Sequence, residues 1–167
     1  MKSIIINQSG DASELVLTTS QLDSPGDNEV QVKISVAGIN FLDLGVRKGV
    51  LWTEMEYPKT LGVEGVGIVL SVGKNVRDFS PGERVAWVYA PGSYAEEINI
   101  HAENLVHVPD SIDDEIVASL MMQGLTASHF ATEFYPIKTG DVALVHAAAG
   151  GVGTLLTQII KLRGGLL

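Results

Sequence analysis

The sequence predicts an α+β to α/β fold class: an antiparallel β region followed by one strand–turn–helix unit. Two observations lead there. The first two-thirds of the chain is a series of short β-branched runs separated by glycine and proline, the spacing of an antiparallel barrel or sandwich. The C-terminal part places a glycine-rich turn between an apolar run and an amphipathic segment.

Residues 3–6 and 15–18 are runs of β-formers, and Asp23-Ser24-Pro25-Gly26-Asp27-Asn28 is a turn cluster. Residues 29–39 alternate, with Val30, Val32, Ile34 and Val36 on one face. Residues 63–72 read as an apolar, glycine-punctuated strand. Pro81-Gly82-Glu83 turns the chain into a strand over 84–89, and Pro91-Gly92 into another over 94–100. After Pro109 the character changes. Ser111-Ile112-Asp113-Asp114 offers a capping serine and first-turn acids to a helix over 114–122. Gly124 punctuates it, and a second helix over 126–134 stops before Pro136. Residues 142–146 are a short apolar strand. Leu155, Leu156, Ile159, Ile160 and Leu162 then recur near helical spacing. Lys161 and Arg163 suit the negative end of that helix, and Gly164-Gly165 its C-cap.

Composition narrows the function. The 167 residues carry 11 basic and 20 acidic side chains, a net charge of −9. Nucleic acid and anionic membranes both call for a basic face, so neither is expected as a partner. There is no cysteine, which removes disulfides, a thiolate nucleophile and any Cys-ligated metal centre. No apolar run approaches the roughly 18 residues of a membrane helix, and the first residues are too short a stretch for a signal peptide. A cytoplasmic location is the expectation.

The glycine turn has chemistry in it. A strand, a glycine-rich turn and a helix N-terminus together cradle a dinucleotide pyrophosphate, because the helix start presents unpaired N–H groups and a positive dipole end. Here the spacing is Ala148-x-Gly150-x-x-Gly153, with alanine at the first glycine position. The plainer reading is a tight βα turn with glycines for packing.

The wider segment is more specific. It runs Gly140-Asp141-x-x-Leu144-x-x-x-Ala148-Ala149-Gly150-Gly151-x-Gly153-x-x-x-x-Gln158-x-x-Lys161. It resembles the signature of the quinone oxidoreductase and ζ-crystallin branch of the medium-chain dehydrogenase/reductase superfamily. Four more stretches resemble that family in the same order: Ala37-Gly38-Ile39-Asn40-Phe41-Leu42-Asp43, Leu61-Gly62-Val63-Glu64-Gly65-Val66-Gly67-Ile68-Val69, Pro81-Gly82-Glu83-Arg84-Val85 and Gly124-Leu125-Thr126-Ala127. The resemblance implies a GroES-like antiparallel β domain over 1–123, then the first βα unit of an incomplete Rossmann domain over 124–167. It implies NADPH as cofactor, an active site in the cleft between the domains, a quinone or enone substrate, and a homodimer at full length.

Family members are about twice this length. The acidic residue that reads the adenosine ribose falls about 20 positions past the glycine loop, beyond Leu167. The expectation is the N-terminal half of an NADPH-dependent oxidoreductase, reducing quinones or α,β-unsaturated carbonyls, with activity of this stretch alone in doubt. The alternatives are an alkenal or enoyl reductase, and a catalytically inactive GroES-like module that needs a partner chain.

Some branches of the superfamily hold a catalytic zinc through Cys, His and a third Cys or carboxylate. Here Asn40, Val63 and Met122 stand at those places, and they cannot build an open zinc site. No metal is expected.

The resemblance assigns cofactor contacts to Asn40, Thr126, Gly150, Gly151 and Val152. Read from the residues alone, Asn40 is a turn asparagine and Thr126 a helix N-cap. Asp43 reads as a loop-bonding acid. Glu64 lies in an apolar strand and needs a partner, for which Arg47 or Arg84 is available. His146 reads as a core or edge position, and Trp52, Tyr57 and Tyr89 as core or rim aromatics. Family members often carry tyrosines where Gly45 and Leu51 stand, which weakens a benzoquinone preference. No side chain stands out as a general acid, so catalytic residues are left unassigned.

Overall fold

The computed structural model describes Met1–Leu167 and divides into two compact units, Met1–Ala118 and Ser119–Leu167. Eight strands lie in the first: β1 (Lys2–Ile6), β2 (Val16–Thr19), β3 (Glu29–Ala37), β4 (Lys59–Thr60), β5 (Glu64–Val72), β6 (Arg84–Val88), β7 (Glu97–His101) and β8 (Leu105–His107). They form two antiparallel sheets, ordered β2-β1-β4 and β7-β3-β5-β6-β8. The helices are α1 (Phe41–Arg47), α2 (Asp114–His129) and α3 (Gly151–Leu162), with a π-helical turn over Phe130–Phe134.

The alternation in β3 works as expected. Val30 and Val32 are fully buried, and Ile34 packs against the same core. Register shifts after Gln31 and Ile34 bend the strand, because a bulge adds a residue on one side of the ladder and increases local twist. The extended stretch expected over 94–100 serves both sheets. The Tyr94 carbonyl accepts from Ile4 N–H and Glu96 N–H donates to Lys2 O, while Glu97 onward pairs with β3.

The core centres on Trp87, which is fully buried among Val30, Val32, Val69, Val85 and Ile98. Its register partner is Gly65, where a Cβ would come within 2.6 Å of the indole. A side chain at position 65 would therefore displace the indole. Of the aromatics expected in the core or at its rim, Trp52 packs in a smaller cluster with Ile6, Val46 and Leu61, whereas Tyr57 and Tyr89 are exposed.

Helix α1 is an addition to the expected elements. Its seven residues leave Phe41 and Leu44 exposed and bury only Asp43 and Val46, so no apolar stripe announces it.

The α2 region corrects two expectations. A single helix runs Asp114–His129 straight through Gly124, in place of two helices. Glycine costs a helix only about 1 kcal/mol relative to alanine, too little to end a helix of 16 residues. Ser111 stands three residues before the helix; the carbonyl of Asp113 accepts the Val117 N–H instead.

The run 142–146 is not a ladder strand: its one bridge joins Val142 to Leu166 in parallel. Helix α3 buries Ile160 and packs Leu156 and Ile159 against Ala131 and Ile137, whereas Leu162 is exposed. It ends as expected. Gly164 has φ +81°, its N–H reaches Lys161 O at 2.9 Å, and Gly165 N–H reaches Ile160 O at 2.9 Å. These are the two bonds of a Schellman C-cap. No helix is long and apolar enough to cross a membrane.

Candidate functional site

The first unit holds a cavity of about 420 Å³ beside α1. Leu15, Ile39, Phe41, Leu44 and Leu61 line its apolar side, and Asn40, Asp43, Arg47 and Tyr94 its polar side. Ile39 and Phe41 flank Asn40 with 80% and 89% exposure, so a buried asparagine sits between two open apolar side chains.

The polar side chains are joined. Asn40 is the N-cap of α1, and Asp43, three residues on, accepts its backbone N–H through Oδ2 at 2.8 Å. Such a bond satisfies a donor that the helix start leaves orphaned. The Tyr94 hydroxyl donates to the same Oδ2 at 2.7 Å. Burial, then that bond, then the negative charges of Asp43 and Glu64 push the Tyr94 phenol well above its ordinary value, so it remains a proton-bearing donor. Asn40 Nδ2 donates to Glu64 Oε1 at 2.7 Å.

Glu64 is fully buried. The expected partnership with Arg84 is not formed, because Arg84 pairs with Asp114 and donates to the Ile112 and Pro109 carbonyls. Arg84 lies four residues beyond Glu64 along the β5–β6 ladder, opposite Ile68. The partner shown is the neutral Asn40 amide.

Sequence reasoning passes over Tyr94. Its seat depends on Gly62, which has φ +86° and where a Cβ would lie 2.4 Å from the Tyr94 ring. The signal is present in Leu61-Gly62-Val63-Glu64 and in the Pro91-Gly92 turn, which returns the chain so that Tyr94 N–H meets Leu61 O. Gly45 and Leu51, which stand where family members often carry tyrosines, meet each other: a Cβ on Gly45 would come within 2.5 Å of Leu51 Cδ1.

The second unit builds its candidate site from main chain. Ala147 takes the left-handed conformation, φ +51°, at the start of the turn, and Gly150 is the N-cap of α3. The Gly150 N–H donates to Ala147 O, while its carbonyl receives Thr154 N–H. By helix geometry, the N–H groups of Gly151 and Val152 have no acceptor within α3. Gly153 lets the helix close on the turn, since a Cβ there would lie 2.2 Å from Ala147 O.

Gln123 of α2 lies over Gly151, where a Cβ would meet its Cγ at 2.8 Å. Thr126 is one turn along α2. It is not an N-cap: it lies inside the helix and its hydroxyl donates to Met122 O at 2.6 Å. His146 is exposed, not a core position. No group of three or more His, Asp or Glu side chains is placed to share a metal ion.

Two antiparallel sheets and a short capped helix are thus followed by a glycine turn that opens α3. The chain belongs to the family of the alcohol dehydrogenase GroES-like domain, whose pattern matches residues 26–110.

It is 36% identical over 159 residues to a probable quinone oxidoreductase of Schizosaccharomyces pombe, covering 95% of this chain and 48% of that one. It is 36% identical over 157 residues to a 2-haloacrylate reductase of Burkholderia, covering 91% and 47%. Among solved structures, the Escherichia coli quinone oxidoreductase complexed with NADPH superposes with a TM-score of 0.95 at 34% identity, over 99% of this chain and 51% of that one. The chain thus spans about half the length of the relatives it matches.

Proposed function

We propose that this chain is the part of an NADPH-dependent oxidoreductase that carries Asn40 and the opening of the dinucleotide site, and that the enzyme reduces quinones or α,β-unsaturated carbonyls without zinc. One observation carries the reading. Gly153 seats α3 against the Ala147 carbonyl, and at that turn the N–H groups of Gly151 and Val152 have no acceptor within α3 and no side chain of Gly150 or Gly151 beside them. That is the donor arrangement a pyrophosphate requires.

NADPH supplies a hydride when bound. The N–H groups of Gly151 and Val152 would hold its phosphates. Gly150, with its own N–H already bonded, would contribute the space of an absent side chain. Thr126 retains acceptor capacity after donating to Met122. Asn40 would meet the nicotinamide or ribose end. Catalysis would then rest on positioning and on hydrogen bonds to the substrate carbonyl, with the apolar wall of Leu15, Ile39, Phe41 and Leu44 excluding water. The complementary test is substrate class: the full-length protein should oxidise NADPH with a quinone and not reduce the oxidised cofactor with a simple alcohol. Absence of NADPH oxidation with every quinone and enone tried would overturn the reading.

A second reading is favoured by Gly45 and Leu51. With aliphatic packing in place of two tyrosines, a flat aromatic acceptor loses its stacking partners, and a 2-alkenal or enoyl thioester becomes the better substrate. Comparing turnover on a benzoquinone and on a 2-alkenal separates the two.

A further inference from the structure

We infer that Glu64 is a positioning residue for Asn40: its carboxylate sets which end of the Asn40 amide faces a ligand in the α1 cavity. The inference rests on the assignment of Asn40 to the cofactor made above.

An asparagine amide has a donor end and an acceptor end of nearly the same shape, and only its hydrogen bonds decide which way round it sits. A carboxyl oxygen that carries no proton accepts and never donates. Glu64 Oε1 accepts from Nδ2 at 2.7 Å and the capping box of α1 brings the Asp43 N–H to the amide oxygen, so the donor end is held inward at Glu64 and the oxygen toward the start of α1. The main chain of Asn40 is held separately, by Asp43 Oδ2, which Tyr94 holds in turn. The Asn40 N–H is thus bonded to Asp43 and its amide nitrogen to Glu64.

The surroundings are shaped for this contact. Glu64 opens β5 and is fully buried, a costly place for a carboxylate. Gly38, next to the β3–β5 pair Ala37–Gly65, donates its N–H to Glu64 O. A Cβ on Gly38 would fall 2.2 Å from Glu64 Oε1 and 2.5 Å from Cδ. Only glycine leaves the carboxylate room to reach Asn40. A group needed merely to fill this space could be apolar. A glutamine would fill it too, but its amide can turn a donor toward Nδ2, which an unprotonated carboxyl oxygen cannot.

The test is a double-mutant cycle on the full-length protein. NADPH affinity is read by cofactor fluorescence, KM and kcat by turnover, and stability by thermal melting, for wild type, Glu64→Gln, Asn40→Ala and the double variant. Glu64→Gln should weaken NADPH binding about three- to tenfold, the scale of one mis-set hydrogen bond, with KM rising more than kcat falls. In the Asn40→Ala background the same change should have no further effect on affinity, since residues acting through one another are not additive. Gly38→Ala, which leaves the Asn40 and Glu64 side chains in place but crowds Glu64, should mimic Glu64→Gln and covers the case in which that variant does not fold.

Additive effects on affinity would overturn the inference, as would unchanged affinity in both Glu64→Gln and Gly38→Ala. A wild-type protein that fails to bind NADPH would overturn the cofactor assignment, and this inference with it. A wild type that binds, followed by an additive cycle, removes the Glu64 role alone.

Discussion

In Met1–Ala118 the candidate site is made of side chains. Asn40, Asp43, Glu64 and Tyr94 are bonded to one another, and glycines at 38 and 62 clear the space they occupy. In Ser119–Leu167 it is made of main chain. The proposed donors are two N–H groups at the start of α3, where Gly150 and Gly151 carry no side chains of their own and Gly153 lets the helix meet the Ala147 carbonyl. The first kind of site depends on chemical identity, because an amide and a carboxylate are not interchangeable. The second depends only on the space around the backbone. That is why alanine can stand at 148, where the dinucleotide fingerprint has its first glycine: the left-handed residue of this turn is Ala147, and position 148 needs no special conformation.

The difference also appears in how each unit buries its apolar residues. The first closes its core with eight of its own strands. The second has one parallel bridge and leaves Val142 and Leu144 more than 80% exposed.

The comparison can be broken most sharply at Gly153. Gly153→Ala places a Cβ against the Ala147 carbonyl, where main chain must move. The expected cost is about 1–3 kcal/mol, with loss of NADPH binding in the full-length protein. A variant that melts and binds like wild type would refute a site built on backbone packing. The Glu64 and Asn40 variants probe the side-chain site at the next scale.

Tyr94→Phe sharpens the account of the first unit. Removing the donor to Asp43 should cost about 1 kcal/mol near neutral pH. The pH profile carries the sign. Tyr94 is held above its ordinary value of 10.0 by burial and by Asp43. Its contribution is therefore complete below pH 10 and is lost as the pH rises past it. Denaturant melts should show wild type losing stability above pH 10 more steeply than the phenylalanine variant. Parallel profiles would mean the hydroxyl does not couple to folding.

The smallest effect is expected at Ala147→Gly. It removes the left-handed cost of a β-carbon at φ +51° at the expense of unfolded-chain entropy. The net should be a stabilisation of no more than about 1 kcal/mol, with NADPH binding retained. Weakened binding would show that the alanine side chain matters and that this site is not backbone alone.

Much of the architecture is legible in the amino-acid sequence. Most of the strands, the glycine turn, the α3 stripe through Ile160 and the Gly164 cap follow from period, β-propensity and the few residues that accept a positive φ. These are local properties, written within a few positions of one another. Strands β4 and β8, at two and three residues, are too short to show a pattern. Helix α1 is hidden from such reasoning because half its apolar side chains face outward. The unbroken α2 is hidden because Gly124 acquires its helical hydrogen bonds and the nearby Leu155 only in the folded chain.

The partnership of Glu64 belongs to tertiary structure alone. The sequence shows that a carboxylate lies in an apolar strand and needs a partner, and it offers two arginines. Which group answers depends on the β3–β5 register that sets Gly38 beside Glu64, and on the turn that brings Asn40 to the same place. Tyr94 likewise meets Asp43 across 51 positions of sequence. Chain propensity acts over a few residues, whereas a hydrogen bond between buried groups is decided by the sheet that carries them together.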